Sequence, residues 1–352
     1  MNKIDIKSLS FTQLEREFSH RNLPKYRATQ VFDWLQNKGV SSFDEMTNLP
    51  NQLRELLNEE FLIKGCHIEK RLISRLDETV KYLFSLYDGE CVESVLMKYK
   101  YGYTICVSTQ VGCKMGCRFC ASTLNGCVRN LSSSEILSQI HTAQKDRNIR
   151  ISHVVLMGMG EPLDNFENVL NFLELLNDPK GLHISLRNVS VSTCGIVPRI
   201  KELETKGMGI TLSVSLHAPN DMLRNQIMPV NRKWGVDELL DACRSYASHT
   251  GRRISFEYTL IKDFNDSDAC AAELANRLKG MLAHVNLIPV NPVEEHAFRK
   301  SDKQKIETFI NILTRNGISA TVRRTLGADI NASCGQLRKQ NRDVSSKKEV
   351  SD

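Results

Sequence analysis

The sequence predicts an α/β fold: a partial (β/α)6 barrel of the TIM type, preceded by a small helical domain and a short β extension. Three observations carry the prediction. Beyond Tyr103, short apolar, β-branched runs alternate with amphipathic segments of about 10 to 15 residues. Such alternation implies parallel strands joined by right-handed helical crossovers. From Phe11 to about Phe61 the apolar residues fall instead at helical spacing, and between the two regions lies a segment that reads as paired strands.

In chain order, the helical domain spans residues 1–65. Phe11, Leu14 and Phe18, then Val31, Trp34 and Leu35, then Leu53, Leu56 and Leu57 mark its apolar faces, with Pro24 and Pro50 as punctuation. The β extension spans 66–98, where "VKYLFSLYDG" and "CVESVLM" pair by turning at Asp88-Gly89. The barrel spans 99–335. Its strands are "TICVSTQV", "ISHVVLMG", "NVSVST", "ITLSVSLH", "ISFEYTLI", "HVNLIPV" and "ISATVRR", and its helices start near Ser132, Asn165, Val197, Asp237, Ser267 and Ser301. A full eightfold barrel or an open doubly wound sheet would alternate in the same way. "GMGEPL" lacks the glycine spacing of a dinucleotide fingerprint, which counts against the doubly wound sheet. In a barrel, chemistry belongs at the carboxyl ends of the strands. Residues 336–352 form a polar, basic tail without period.

Composition narrows the setting. The start, "MNKIDIKSLSFTQLEREF", has no apolar core of a signal peptide, and no stretch approaches the roughly 20 apolar residues that span a bilayer, so a cytoplasmic protein without a membrane partner is expected. Eleven cysteines in a reducing compartment point to metal ligands or catalytic thiols rather than disulfide staples. A net charge of +6 favours an anionic partner and permits RNA binding without demonstrating it.

The chemistry begins in "CKMGCRFCAS", where Cys113, Cys117 and Cys120 follow the first barrel strand. Three thiolates can hold three irons of a four-iron, four-sulfur cluster and leave the fourth iron open to a ligand. A zinc site completed by Cys127 or a remote histidine needs the same residue types, and three unrelated buried thiols are a further reading.

Cys-x3-Cys-x-aromatic-Cys, realised as Cys113, Cys117, Phe119 and Cys120, resembles the radical S-adenosylmethionine (SAM) superfamily. "ICVSTQVGCKMGCRFC", "MGMGEP", "VSTCG", "SLHAPND" and "GADINASCGQL" occur in the order of the RlmN and Cfr family of RNA adenine methyltransferases, and Pro162 and "VRRTLGADI" resemble the RlmN branch. The resemblance implies a radical SAM barrel with one four-iron, four-sulfur cluster on Cys113, Cys117 and Cys120, and two SAM molecules per turnover. It implies methylation of carbon 2 of an adenine in 23S ribosomal RNA, in the peptidyl transferase region, and in transfer RNA. A reductase or flavodoxin-type electron donor and a monomeric state go with it.

Residue by residue, the family's methyl-carrying cysteine matches Cys334, its resolving cysteine Cys106, and its proton acceptor Glu93. The resemblance further implies a transient Cys106–Cys334 disulfide, and SAM contacts from Gly160, Glu161, Ser192, Ser215, Leu216, His217 and Asn291. Taken singly, Cys106 and Cys334 would read as core cysteines, His217 as a satisfied core histidine and Glu93 as a solvated strand residue. Where the family often has aspartate before Ala-Ala-Cys-Gly-Gln-Leu, this chain has Asn331. Cys127, Cys194, Cys243 and Cys270 are expected to be structural, and Arg129, Arg323 and Arg324 are expected at the surface, able to grip phosphate. Rival readings are a Cfr-like enzyme acting on carbon 8, a radical SAM enzyme with a non-RNA substrate, and a zinc-bound RNA-binding module.

Overall fold

A computed structural model describes residues 3–291 and 297–337. Strand β1 (Ile4–Asp5) leads into helices α1 (Phe11–His20), α2 (Lys25–Gln36) and α3 (Asn51–Glu60), and β2 (Phe61–Leu62) returns to pair in parallel with β1. A capping box starts α1: the Ser10 hydroxyl accepts from the Gln13 N–H, and the Gln13 side chain accepts from the Ser10 N–H at 2.8 Å. The helical spacing of the apolar residues therefore marks real helices, and Leu14, Phe18, Val31, Leu35, Leu53 and Leu57 are all buried.

Strands β3 (Cys66–Ile73), β4 (Val80–Leu86) and β5 (Cys91–Tyr99) form an antiparallel meander, which continues into β6 (Gly102–Cys106). A small hairpin, β7 (Gln110–Gly112) with β8 (Cys127–Asn130), brackets the cysteine loop. Then α4 (Ser133–Arg147), β9 (Ile151–Leu156), α5 (Phe166–Asn177), β10 (Val189–Thr193), α6 (Val197–Thr205) and β11 (Thr211–Ser215) alternate as the sequence predicts. The short α7 (Asp221–Ile227) was not expected. It is followed by α8 (Val236–Thr250), β12 (Ile254–Leu260), α9 (Asp268–Leu278), β13 (Ala283–Pro289), α10 (Lys303–Arg315) and β14 (Ser319–Val322). Ser132 and Ser267 cap α4 and α9 through their hydroxyls.

All of these main strands join one ten-stranded sheet in the order β14-β13-β12-β11-β10-β9-β6-β5-β4-β3. The seven from β6 to β14 in that order are parallel neighbours wound in one direction, which excludes a doubly wound sheet with its reversal of strand order. The eightfold alternative fails for a different reason. The free edge of β6 is taken by β5, so the barrel stays open and the β extension is the continuation of its wall.

Alternation along the strands gives the wall two chemistries. Val189, Val191, Leu212, Val214, Phe256, Tyr258, Val285 and Leu287 are buried on one face, where the helices pack. Ser190, Ser192, Ser213, Ser215, Ser255, Glu257, His284 and Asn286 occupy the alternate positions and leave the interior polar. One continuous core runs from Phe18, Phe32 and Leu57 of the helical domain through Ile136 and Ile140 of α4 into the sheet. Of the expected polar tail, Gln336 and Leu337 are buried, and 338–352 lie outside the described residues. Among the described residues no helix is long and apolar enough to cross a membrane.

Candidate active site

At the carboxyl ends of the parallel strands lies a cavity of about 150 Å³. Its wall includes Cys113, Cys117 and Cys120 from the loop between β7 and β8, and Cys334 from the C-terminal segment. Gly160 and Glu161 after β9, Ser192 on β10, Ser215 and His217 on and after β11, and Asn291 after β13 also line it. Of the residues expected to contact SAM, Leu216 alone stays off the wall: it is buried, and its backbone is the part engaged.

Cys113, Cys117 and Cys120 share one wall of the cavity. Among the described residues no three His, Cys, Asp or Glu side chains are arranged to hold one metal ion, and Cys127 does not reach the cavity wall. Cys113 and Cys120 each receive a hydrogen bond from a backbone N–H, of Met115 and of Ser122 respectively, and Met115 and Phe119 supply apolar cover. N–H donors on sulfur and a dry surround are what a cluster-bound thiolate needs. Burial pushes the free Cys113 thiol up to about 12, and Cys117 and Cys120 also rise through burial, so binding a metal group here would release protons.

The far wall is held by backbone geometry. Gly160 sits at φ +102°, and a Cβ there would lie 2.6 Å from Gln110 Cβ; a Cβ on Gly158 would lie 2.6 Å from the Val107 carbonyl oxygen. Only glycine fits at these points. Glu161 is buried, accepts from the Cys194 N–H at 2.7 Å and the Leu163 N–H at 3.0 Å, and is pushed above the usual carboxylate range by burial. Cys194 therefore does more than fill space, since its N–H fixes the Glu161 carboxyl.

Arg224 on α7 explains why that unexpected helix exists. Its fully buried guanidinium donates to the carbonyl oxygens of Cys194 (2.6 Å), Ser215 (3.0 Å) and Leu216 (3.0 Å) and to Asn231 Oδ1 (2.8 Å), locking the ends of β10 and β11. His217 adopts a left-handed backbone (φ 57°), accepts the Thr259 N–H on Nδ1 at 2.9 Å, and stands edge-on to Phe119 at 4.6 Å. Burial drives its pKa down to about 3, so the ring is neutral with its hydrogen on Nε2. It is both a satisfied core histidine and a wall of the cavity.

Cys334 shares the cavity wall with a residue expected at the surface. Arg323 is part-buried, lines the cavity, and lies within electrostatic reach of both Cys334 and Cys106. It is not the solvated surface residue expected, because it follows β14 with its side chain turned inward, reaching Glu257 at 3.4 Å and Met157 Sδ at 3.5 Å. Arg129 is likewise committed, to Glu135 and Asp88 at 2.8 and 2.6 Å. Cys106 is buried behind that wall at the end of β6. Both cysteines are free thiols.

Glu93 does not line the cavity and is not a solvated residue. It is 1 % exposed and paired to Lys81, itself buried, at 2.8 Å. Lys81 Nζ also donates to the Asn331 carbonyl at 3.1 Å, tying Glu93 to the Cys334 segment. The same segment is fastened to the β3–β4 turn: Asp329 accepts from the Ser74 hydroxyl at 2.7 Å and the Arg75 N–H at 2.9 Å, and Asp77 accepts from the Gly327 N–H at 2.9 Å. Asn331 stands at φ 50°, a left-handed conformation that asparagine tolerates, and uses its carbonyl rather than its side chain. Asn291 Nδ2 holds the Cys334 carbonyl at 3.0 Å.

Residues 107–275 match the model of the radical SAM superfamily, and residues 4–63 match that of the ribosomal RNA large subunit methyltransferase N-terminal domain. A probable dual-specificity RNA methyltransferase RlmN from Alkaliphilus oremlandii is 54% identical over 97% of this chain and 99% of its own length. Another of that description, from Alkaliphilus metalliredigens, is 49% identical over the full length of both. The chain belongs to the RlmN family of radical SAM methyltransferases. A crystal structure of a radical SAM methyltransferase from Sphaerobacter thermophilus, 41% identical, superposes with a TM-score of 0.91 over 95% of this chain and 99% of that one. RlmN membership brings with it a four-iron, four-sulfur cluster and SAM, and the cysteine-lined cavity has the donors to receive both.

Proposed function

We propose that the protein is a dual-specificity RNA methyltransferase that places a methyl group on carbon 2 of an adenine in 23S ribosomal RNA, in the peptidyl transferase region, and in transfer RNAs. The observation that carries this reading is that the three-cysteine cavity also holds Cys334 on its wall, with Cys106 buried at the end of β6. A radical SAM enzyme without a cysteine relay has no use for these two further thiols.

Carbon 2 of adenine is electron-poor and does not attack a sulfonium methyl group, whereas a thiolate does. Cys334 therefore takes the methyl first. When bound, the cluster on Cys113, Cys117 and Cys120 and a second SAM supply the radical that activates this methyl group. Gly160, Glu161, Ser192, Ser215, Leu216, His217 and Asn291 hold SAM, Glu93 accepts the proton from carbon 2, and Cys106 releases the product by attacking the Cys334 sulfur, which leaves a transient disulfide. Residues 1–65 act as an RNA-binding cap, 66–98 as a β extension and 99–335 as the catalytic barrel. The enzyme works as a cytoplasmic monomer served by a flavodoxin-type electron donor.

The relatives' description as dual-specificity RNA methyltransferases supports the RNA substrates. Anaerobic reconstitution with labelled SAM and unmodified 23S and transfer RNA, followed by nucleoside mass spectrometry, tests the reading: label belongs on carbon 2 in both. Label on carbon 8 would assign the chain to the Cfr branch.

A further inference from the structure

One exposed aromatic ring stands at the cavity's end of the sheet and takes no part in the site described above. Tyr87 lies in the turn between β4 and β5 and is 58 % exposed. Strand register puts that turn at the mouth of the barrel rather than at its floor: β5 runs antiparallel to β6 with Val95 opposite Cys106, so Cys91 and the turn before it project beyond the carboxyl end of β6. Cys66 lies opposite Leu86, which brings Lys64 to the same end. There Lys64 Nζ stands 4.6 Å from the centroid of the Tyr87 ring, and among the described residues no salt bridge takes its ammonium. The turn itself is well braced. The Leu86 N–H donates to the Glu90 carbonyl at 2.8 Å, the Gly89 N–H donates to the Leu86 carbonyl at 3.0 Å, and Arg129 of β8 holds Asp88 at 2.6 Å. Arg129 Cζ is also 5.1 Å from the centroid of the same ring. Because Arg129 belongs to the hairpin that brackets the cysteine loop, the ring and the cysteines share one frame.

We propose that Tyr87 and Lys64 form a docking platform for the RNA substrate: the ring stacks on an unpaired base near the target adenine, and the Lys64 ammonium meets the adjoining phosphate. The inference rests on the reading that the substrate is RNA. Taking an adenine out of its stack leaves the neighbouring base without one partner. An exposed aromatic ring replaces that partner whatever the base, because every base has a π-face. Such tolerance suits an enzyme with two kinds of RNA substrate. Charge complementarity points to a polyanion, since the ring carries two cations and the chain a net +6, while the carboxylates beside them are engaged, Asp88 with Arg129 and Asp5 with the Ser8 hydroxyl at 2.8 Å. Arg129, its guanidinium taken by Asp88 and Glu135, braces the platform rather than gripping phosphate. Lys64 differs in that no ion pair has to break when its ammonium moves from the ring to a phosphate.

The test measures binding of an unmodified transfer RNA transcript to the reconstituted holoprotein by fluorescence anisotropy, from about 50 to about 200 mM KCl, and then methylation kinetics with the same RNA. Tyr87→Ala should weaken binding at least about fivefold, the low end of what stacking one base on an aromatic ring is worth, and the loss should fall on KM for RNA rather than on kcat. Tyr87→Phe should bind as tightly as the wild type, because the ring is used and the hydroxyl is not. Lys64→Gln should reduce the steepness of log Kd against log salt by about one. Iron content and melting temperature at the wild-type level establish that each variant is folded; should Tyr87→Ala not fold, Tyr87→Leu, apolar but without a stacking plane, should show the same loss. Wild-type affinity in Tyr87→Ala or Tyr87→Leu, an equal loss in Tyr87→Phe, or an unchanged salt slope in Lys64→Gln would overturn the platform. Normal RNA affinity in Tyr87→Ala with slowed reduction by flavodoxin would overturn it too and give the patch to the electron donor. Failure of the wild type to bind the RNA at all would strike the RNA reading itself, whatever Tyr87 does.

Discussion

Single residues at this site carry constraints that can be measured one at a time. Glu93 and Lys81 are a buried pair, and removing one partner of such a pair costs about 3–5 kcal/mol because the other charge is stranded. Glu93→Gln is expected to destabilise by about that amount in anaerobic urea unfolding, and Glu93→Gln with Lys81→Met to regain much of it. Equal stability of single and double variants would show that Lys81 finds another partner. Gly160→Ala has no room beside Gln110 and the wrong hand of backbone, so the turn that presents Glu161 must shift. SAM affinity, read by calorimetry, should fall at least about tenfold, since a small displacement of a positioning group is costly. Cys334→Ala should lose RNA methylation while keeping its iron, and Cys106→Ala should accumulate a protein–RNA adduct visible on denaturing gels. Turnover by either variant at the wild-type rate would contradict its role.

At the level of elements, the seam between the helical domain and α4 depends on His141. Its Nε2 bonds the Gln36 carbonyl at 2.8 Å, burial drives its pKa down to about 3, and Gly39 at φ +62° leaves just enough space, since a Cβ there would come within 2.7 Å of the ring. Gly39→Ala should therefore cost on the order of 1–3 kcal/mol from backbone strain alone, plus the clash. The pH dependence has a definite sign. His141 and His217 bind protons in the unfolded chain below about 6.5 but in the folded chain only near 3, so stability is full above about 6.5 and is lost as pH falls through that window. His141→Gln keeps a donor for the Gln36 carbonyl and does not titrate. Its melting temperature should fall less steeply than that of the wild type between about pH 6.5 and 4, and identical slopes would mean that the ring charges inside the fold.

Across the whole molecule, the helical domain and the barrel share one apolar core. Hydrogen exchange should find the slow amides of α2, α4 and the central strands opening together, in a single cooperative unit. Separate protection classes for the cap and the barrel would show that the seam opens on its own, as a cap that reorients on RNA would require. The RNA-facing surface is a different matter from net charge: with Arg129 bound to Glu135 and Asp88, and Arg323 turned inward, two of the basic residues visible in the sequence are already committed within the protein.

Local signals were enough to determine a great deal: helical periods at Leu14, Phe18 and Leu57, β-branched runs at each barrel strand, serine caps at Ser132 and Ser267, and the spaced thiols of Cys113, Cys117 and Cys120. These depend on neighbours a few positions apart, which a sequence displays directly. Tertiary structure alone decided that the barrel stays open because β5 occupies the edge of β6, that Arg224 ties three carbonyls, that Lys81 links Glu93 to the Cys334 segment, and that Arg323 faces inward to Glu257. No local spacing encodes those contacts. A charged side chain looks the same in sequence whether water or a buried partner satisfies it, and only the packing of the sheet shows which it is.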